Sequence, residues 1–193
     1  VIGYAIATDG WSGYFPTRHY GGGNIDEGIV SRWLKSHLKT NSDKVMHNAQ
    51  YDLGWCRAMG FEVNGRIIDT MMTANLLDEN RFSYSLNALG FHYLGQTKNE
   101  KDLVEAAREF GVDPKSEMWK LPAQFVGQYA EQDATLTLKL WKHFQVMLNQ
   151  EDLWNIWNLE TKLLPCLVDM TMRGVRVDID KAERSKQLVM KRE

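Results

Sequence analysis

The chain has 193 residues, 44% of them hydrophobic and 25% charged, which suits one globular domain or one and a fraction and excludes a disordered segment. No apolar run approaches the roughly 18 to 20 residues that a membrane span needs, so no membrane partner is expected. The net charge of −2 divides into −5 over residues 1–172 and +3 over residues 173–193, so bulk charge does not mark a nucleic-acid binder, and any such attraction must be local, supplied by metal ions, or supplied by a further domain.

The opening Val1–Thr8 alternates like a strand, and Asp9-Gly10 followed by Gly13–Pro16 predicts a turn and a second, antiparallel strand. After the Gly21-Gly22-Gly23 loop, Ile25, Ile29, Val30, Trp33, Leu34 and Leu38 recur at helical spacing, with Asn24 or Asp26 placed to cap. Lys44–His47 is short enough for a buried strand, Tyr51–Met59 predicts a helix closed by Gly60, and Arg66–Ile68 predicts another strand. Helices follow from Asp69 or Thr70 to Leu77, from Ser85 to Leu94 and from Lys101 to Phe110, and Val112–Leu121 reads as a loop. Pro122 opens a long helix to about Leu148. A further helix from Asp152 to Met172 contains Pro165, where a kink is expected, and Gly174 ends it. Val175–Asp178 is then a short strand candidate, and Asp180 begins a last helix. Strands alternating with helices favour an α/β layer architecture.

Cys56 and Cys166 are the two cysteines, without C-x-x-C spacing, which argues against a disulfide framework or a structural zinc and for a reducing compartment. Two short constellations carry chemical interest: Asn48-Ala-Gln-Tyr-Asp52 and Tyr129-Ala-Glu-Gln-Asp133. In the second, Tyr129 and Asp133 are one turn apart and share a helix face. Asp is a poor helix-interior residue, so its place in the middle of a long helix needs a reason. The first lies where a strand gives way to a helix, a place where α/β folds gather ligands. There Asn48 is a good N-cap and Asp52 suits the helix dipole without any function. Asp69 reads as a cap as well.

With these motifs in this order, the sequence resembles the 3′→5′ exonuclease domain of family-A DNA polymerases, the group of bacterial DNA polymerase I and many phage replicative enzymes. Asn48–Asp52 and Tyr129–Asp133 look like the second and third exonuclease motifs, and Ile68–Met71 and Tyr84–Leu89 match the connecting helices. Glu160–Pro165 and Met172–Asp178 look like the opening of the polymerase domain. The resemblance implies an RNase-H-like exonuclease fold, a mixed sheet flanked by helices, over residues 1–150, with 151–193 beginning the polymerase domain. It also implies four carboxylates holding two divalent ions, Mg²⁺ or Mn²⁺, for hydrolysis at phosphorus. Asp133 would be a direct ligand, Asp52 would serve the second ion partly through water, and Tyr129 would orient the attacking water. Asn48 would cap its helix and touch the substrate backbone, and Arg81 would lie near the DNA strand. The implied partners are a single-stranded DNA 3′ end, primer-template DNA and the remainder of a polymerase chain, in the cytoplasm of a bacterial or phage-infected cell.

The family's first motif, Asp-x-Glu, does not occur in the chain. Val1–Thr8 looks like the family's second strand, so the expectation is that the first strand is missing and lies upstream. Asp26-Glu27, Asp78-Glu79 and Asp178-x-Asp180 are poor substitutes, since adjacent side chains diverge and helix caps explain the rest. The chain alone is then expected to show little or no nuclease activity. The competing readings are a non-catalytic exonuclease-fold scaffold of a polymerase, a stand-alone exoribonuclease and a helical binding module. The seven tryptophans are expected to fill the core rather than to stack bases.

Overall fold

In the computed structural model, which describes residues 1–191, the opening alternation forms a hairpin. β1 (Gly3–Thr8) and β2 (Trp11–Pro16) pair antiparallel with Ala5 opposite Tyr14. The turn runs through Gly10, whose φ of +80° suits a residue without a side chain. α1 (Glu27–Leu38) follows, and the Asp26 carboxylate accepts from Ile29 N–H to cap it. β3 (Lys44–Met46) and β4 (Ile67–Asp69) pair parallel, joined through α2 (Ala49–Ala58). Among the described residues these are two separate two-stranded sheets, one antiparallel and one parallel.

α3 (Thr70–Leu77), α4 (Leu86–Leu94) and α5 (Lys101–Glu109) lead to a 3₁₀ turn at Met118–Lys120 inside the predicted loop. α6 (Ala123–Gln150) then crosses β1, β2 and β3 and packs on α3, α4 and α5. Its start is pinned from below. His19 is buried, its Nδ1 donates to the Leu121 carbonyl, and its Nε2 accepts from the Tyr14 hydroxyl at 2.6 Å. Because a carbonyl only accepts, Nδ1 carries the proton, and burial lowers the His19 pKa and so favours the neutral ring with Nε2 as acceptor. The glycine loop lies against this same point: a Cβ on Gly21 would stand 2.4 Å from Pro122 N, so no larger residue fits.

α7 (Trp154–Arg173) contains Pro165 and buries Trp157, Thr161, Leu164 and Val168, one stripe at helical spacing. Trp157 stacks on Trp141 with ring centroids 5.2 Å apart, and its indole N–H donates to Thr73 at 2.9 Å. This pair anchors the main core of Ile68, Leu89, Leu140, Phe144 and Leu148. A second cluster joins Leu164 and Val168 to Ala49, Leu53 and Ile67 and thereby seats α7 on α2.

Three expectations are corrected. Val175–Asp178 is not a strand, because the fully exposed segment meets no partner among the described residues. It leads into α8 (Ile179–Met190), capped by Asp178, which buries no residue. The tryptophans fill the core in part: Trp141 and Trp157 are buried there and Trp154 packs against them, while Trp11, Trp55 and Trp119 each keep nearly half their surface in solvent. α2 starts two residues before its predicted first residue, for a reason that lies in the site below. Among the described residues, no helix is long and apolar enough to cross a membrane.

Candidate active site

The junction of β3 and β4 with α2 and α3 is organised by one buried carboxylate. Asp69 accepts from the backbone N–H of Asn48 (3.0 Å), Ala49 (2.8 Å), Met71 (2.8 Å) and Met72 (3.4 Å). It therefore caps two helices at once and satisfies donors that the first turns leave open. Asp69 was expected to cap its own helix; the second cap is the new element, and it corrects the role of Asn48. Asn48 occupies the N-cap position with a left-handed φ of +63°, but its side chain makes no capping bond, since Asp69 already holds those N–H groups. α2 can then begin at Ala49.

Asp52 stands one turn into α2. Its carboxyl is pushed up to about 6, first by burial and then by the neighbouring charge of Asp69. His47, just before the helix, hydrogen-bonds Thr70 Oγ1 through Nδ1 at 2.9 Å, while its Nε2 is buried without a partner. Since the Thr70 hydroxyl donates to the Met46 carbonyl, the imidazole Nδ1 must be the donor to Thr70. Burial lowers the His47 pKa; Asp69 opposes this, and the positive charge of Lys98 adds to it.

Across from this junction, α6 presents Tyr129 and Asp133 one turn apart, and Lys98 from the α4–α5 loop lies between them. Lys98 Nζ is 2.7 Å from Asp133 Oδ1, 3.4 Å from the Tyr129 hydroxyl and 5.0 Å from the Tyr129 ring centroid. This short, charge-assisted contact compensates the solvent-shielded Oδ1. Burial raises the Asp133 pKa, and Lys98 pulls it partly back. Burial alone would lower the Lys98 pKa, but the carboxylate more than offsets it and holds the ammonium charged. The Tyr129 phenol is raised by burial and by the charge of Asp133, so it keeps its proton at neutral pH.

The predicted residues thus fall into neighbouring groups: Asn48 and Asp52 around Asp69, and Tyr129 and Asp133 around Lys98. Arg81 stands apart from both, its guanidinium 5.2 Å over the Tyr93 ring and 3.7 Å from Asp78. Asp26 and Asp178 are engaged as helix caps, as the sequence implies. Sequence reasoning missed Lys98 and His47. No spacing rule links a loop lysine to a carboxylate 35 positions away, and a lone histidine before a helix carries no signal.

Both Asp52 and Asp133 sit where burial penalises their charge, and Lys98 compensates only Asp133. Buried anionic oxygens of this kind suit a hard divalent cation, so the donor chemistry fits Mg²⁺ or Mn²⁺. Among the described residues, no three Asp, Glu, His or Cys side chains converge to complete such a site. Beside Lys98 opens a cleft of about 680 Å³ lined by Thr97–Lys101, Val104, Glu105 and Arg108.

A family described as 3′-5′ exonuclease matches residues 23–149. The chain is 38% identical over its whole length to a DNA-directed DNA polymerase of Pseudomonas phage M6, covering 29% of that protein. It is 31% identical to the DNA polymerase DpoZ of Vibrio phage phiVC8, over 96% of the chain and 31% of the relative. It is 27% identical to DNA polymerase I of Chloroflexus aurantiacus, over 92% of the chain and 18% of the relative. The chain thus spans under a third of the length of these relatives. In fold it is similar to the POL domain of Pol1 from M. smegmatis, solved in complex with DNA primer-template and dNTP. The TM-score is 0.66 at 20% identity, covering 93% of this chain and 26% of that one.

Proposed function

The chain belongs to the 3′-5′ exonuclease domain family of family-A DNA polymerases, and we propose that, within a longer polymerase, it removes nucleotides from single-stranded DNA 3′ ends. The observation that carries this reading is the protonated phenol and the partly buried carboxylate that Tyr129 and Asp133 place together, one turn apart, on α6. Asp133 and Asp52 would hold Mg²⁺ or Mn²⁺, two ions in the complete domain. Such ions, when bound, activate water and stabilise the attacking and leaving oxygens at phosphorus.

This chain's own groups orient the reactants. Tyr129, protonated at neutral pH, donates to the attacking water and does not act as its base. The Asn48 side chain, free of capping duty, is available to the sugar-phosphate backbone of the strand. Arg81, held on Tyr93 and 3.7 Å from Asp78, would lie near the DNA strand away from the two carboxylates.

A strand carrying the family's Asp-x-Glu pair would supply the remaining carboxylates from between β1 and β3. Two features support that slot. α6 covers both sheets although no hydrogen bond joins them. The Tyr14 N–H on β2 is taken by Glu131 of α6, so Ala5 opposite it directs its N–H and C=O to the far edge of β1. Residues 1–150 form the exonuclease domain and 151–193 lead into the polymerase domain, which engages primer-template DNA in the cytoplasm.

The test uses the polymerase that carries this chain. Asp133→Ala and Asp52→Ala each abolish Mg²⁺-dependent shortening of 5′-labelled single-stranded DNA and leave primer extension intact. Undiminished shortening in Asp133→Ala would falsify the assignment.

A further inference from the structure

The ion pair between Lys98 and Asp133 is more than a surface contact. The Lys98 side chain keeps 11% of its surface exposed and that of Asp133 31%, and the lysine is delivered by a loop fixed at several points. Lys98 N–H donates to Asn87 Oδ1 at 3.1 Å, and Asn99 N–H donates to Gln132 Oε1 at 2.9 Å, one residue before Asp133. Gln96 accepts from Lys139 of α6 at 3.0 Å. The loop is thus tied to α4 and α6 on both sides of Lys98, and the ammonium stands 2.7 Å from Asp133 Oδ1.

We propose that Lys98 is the resident counter-ion of Asp133, and that a divalent cation enters this site only by displacing its ammonium. The inference rests on the reading of Asp133 as a metal ligand. A carboxylate oxygen 2.7 Å from an ammonium has no room for a second cation on the same side, and two cations there would repel. Binding a metal therefore breaks the pair and sends Lys98 towards the cleft that it lines together with Lys101 and Arg108. There the lysine meets the approaching DNA backbone as a positive charge. The pair keeps the metal-free carboxylate compensated and sets the metal affinity below what the oxygens alone would give.

The test is equilibrium binding of Mn²⁺ alone to the polymerase that carries this chain, read as free Mn²⁺ by electron paramagnetic resonance, for the wild type, Lys98→Met, Asp133→Asn and the double variant. Lys98→Met binds Mn²⁺ about tenfold more tightly than the wild type, and the gain disappears in the Asp133→Asn background. Equal or weaker binding by Lys98→Met, or no binding by either, overturns the proposal. A gain that survives in the double variant also overturns it, because the ion then sits elsewhere. The exonuclease reading fails on a different measurement, DNA shortening that Asp133→Ala does not affect, so the two outcomes are distinguishable.

Discussion

Asp52 is a destabilising residue in its own fold. Its carboxyl is raised to about 6 in the folded protein, against about 4 for an unperturbed aspartate, so the folded state binds the proton more tightly than the unfolded one. The penalty is therefore complete above pH 6 and fades as pH falls towards 4. Asp52→Asn should raise stability by up to about 3 kcal/mol at pH 7.5 and by almost nothing at pH 3.5. Urea denaturation at the two pH values measures this, and an equal gain at both would contradict the assigned cause. Asp69 is the opposite case. It satisfies four backbone N–H groups at the starts of α2 and α3, and Asp69→Ala should cost about 3 kcal/mol or more. A loss under about 1 kcal/mol would mean that water replaces those bonds.

Among the elements, α7 and α8 differ sharply. α7 places Trp157 in the core with its N–H on Thr73, so Thr73→Val strands a buried donor and should cost about 1 to 3 kcal/mol by chemical denaturation. α8 buries nothing, so ending the chain at Gly174 should leave the unfolding midpoint unchanged, and amides of 179–190 should exchange far faster than those of α6. Slow exchange in α8 would reveal packing that its exposure denies. The sequence made the helices and most of their ends legible, because Asp26, Ser85, Pro122 and Gly174 act through local geometry. It misread Val175–Asp178, since a strand needs a partner that alternation cannot show. The site was legible as Tyr129 with Asp133 and as Asn48 with Asp52. Asp69 reaching back 20 residues to α2, and Lys98 reaching forward 35 to α6, are tertiary facts with no local pattern.

At the scale of the molecule, α6 is the element that relates everything else. It spans the hairpin and the parallel pair, buries Leu140 and Phe144 in the core, and carries Tyr129 and Asp133 on the side where Lys98 stands. The net charge of −2 leaves no broad attraction for DNA, so in the proposed function recognition falls to the cations and local basic groups around Asp133. The most direct measurement compares this chain with the longer polymerase proposed to carry it, each with Mg²⁺ and 5′-labelled single-stranded DNA, beside Asp133→Ala of the polymerase. Little shortening by the chain alone and progressive loss from the 3′ end by the polymerase are expected. Asp133→Ala should slow that shortening at least about a hundredfold. Shortening by the polymerase that persists in Asp133→Ala would contradict the assignment of Asp133.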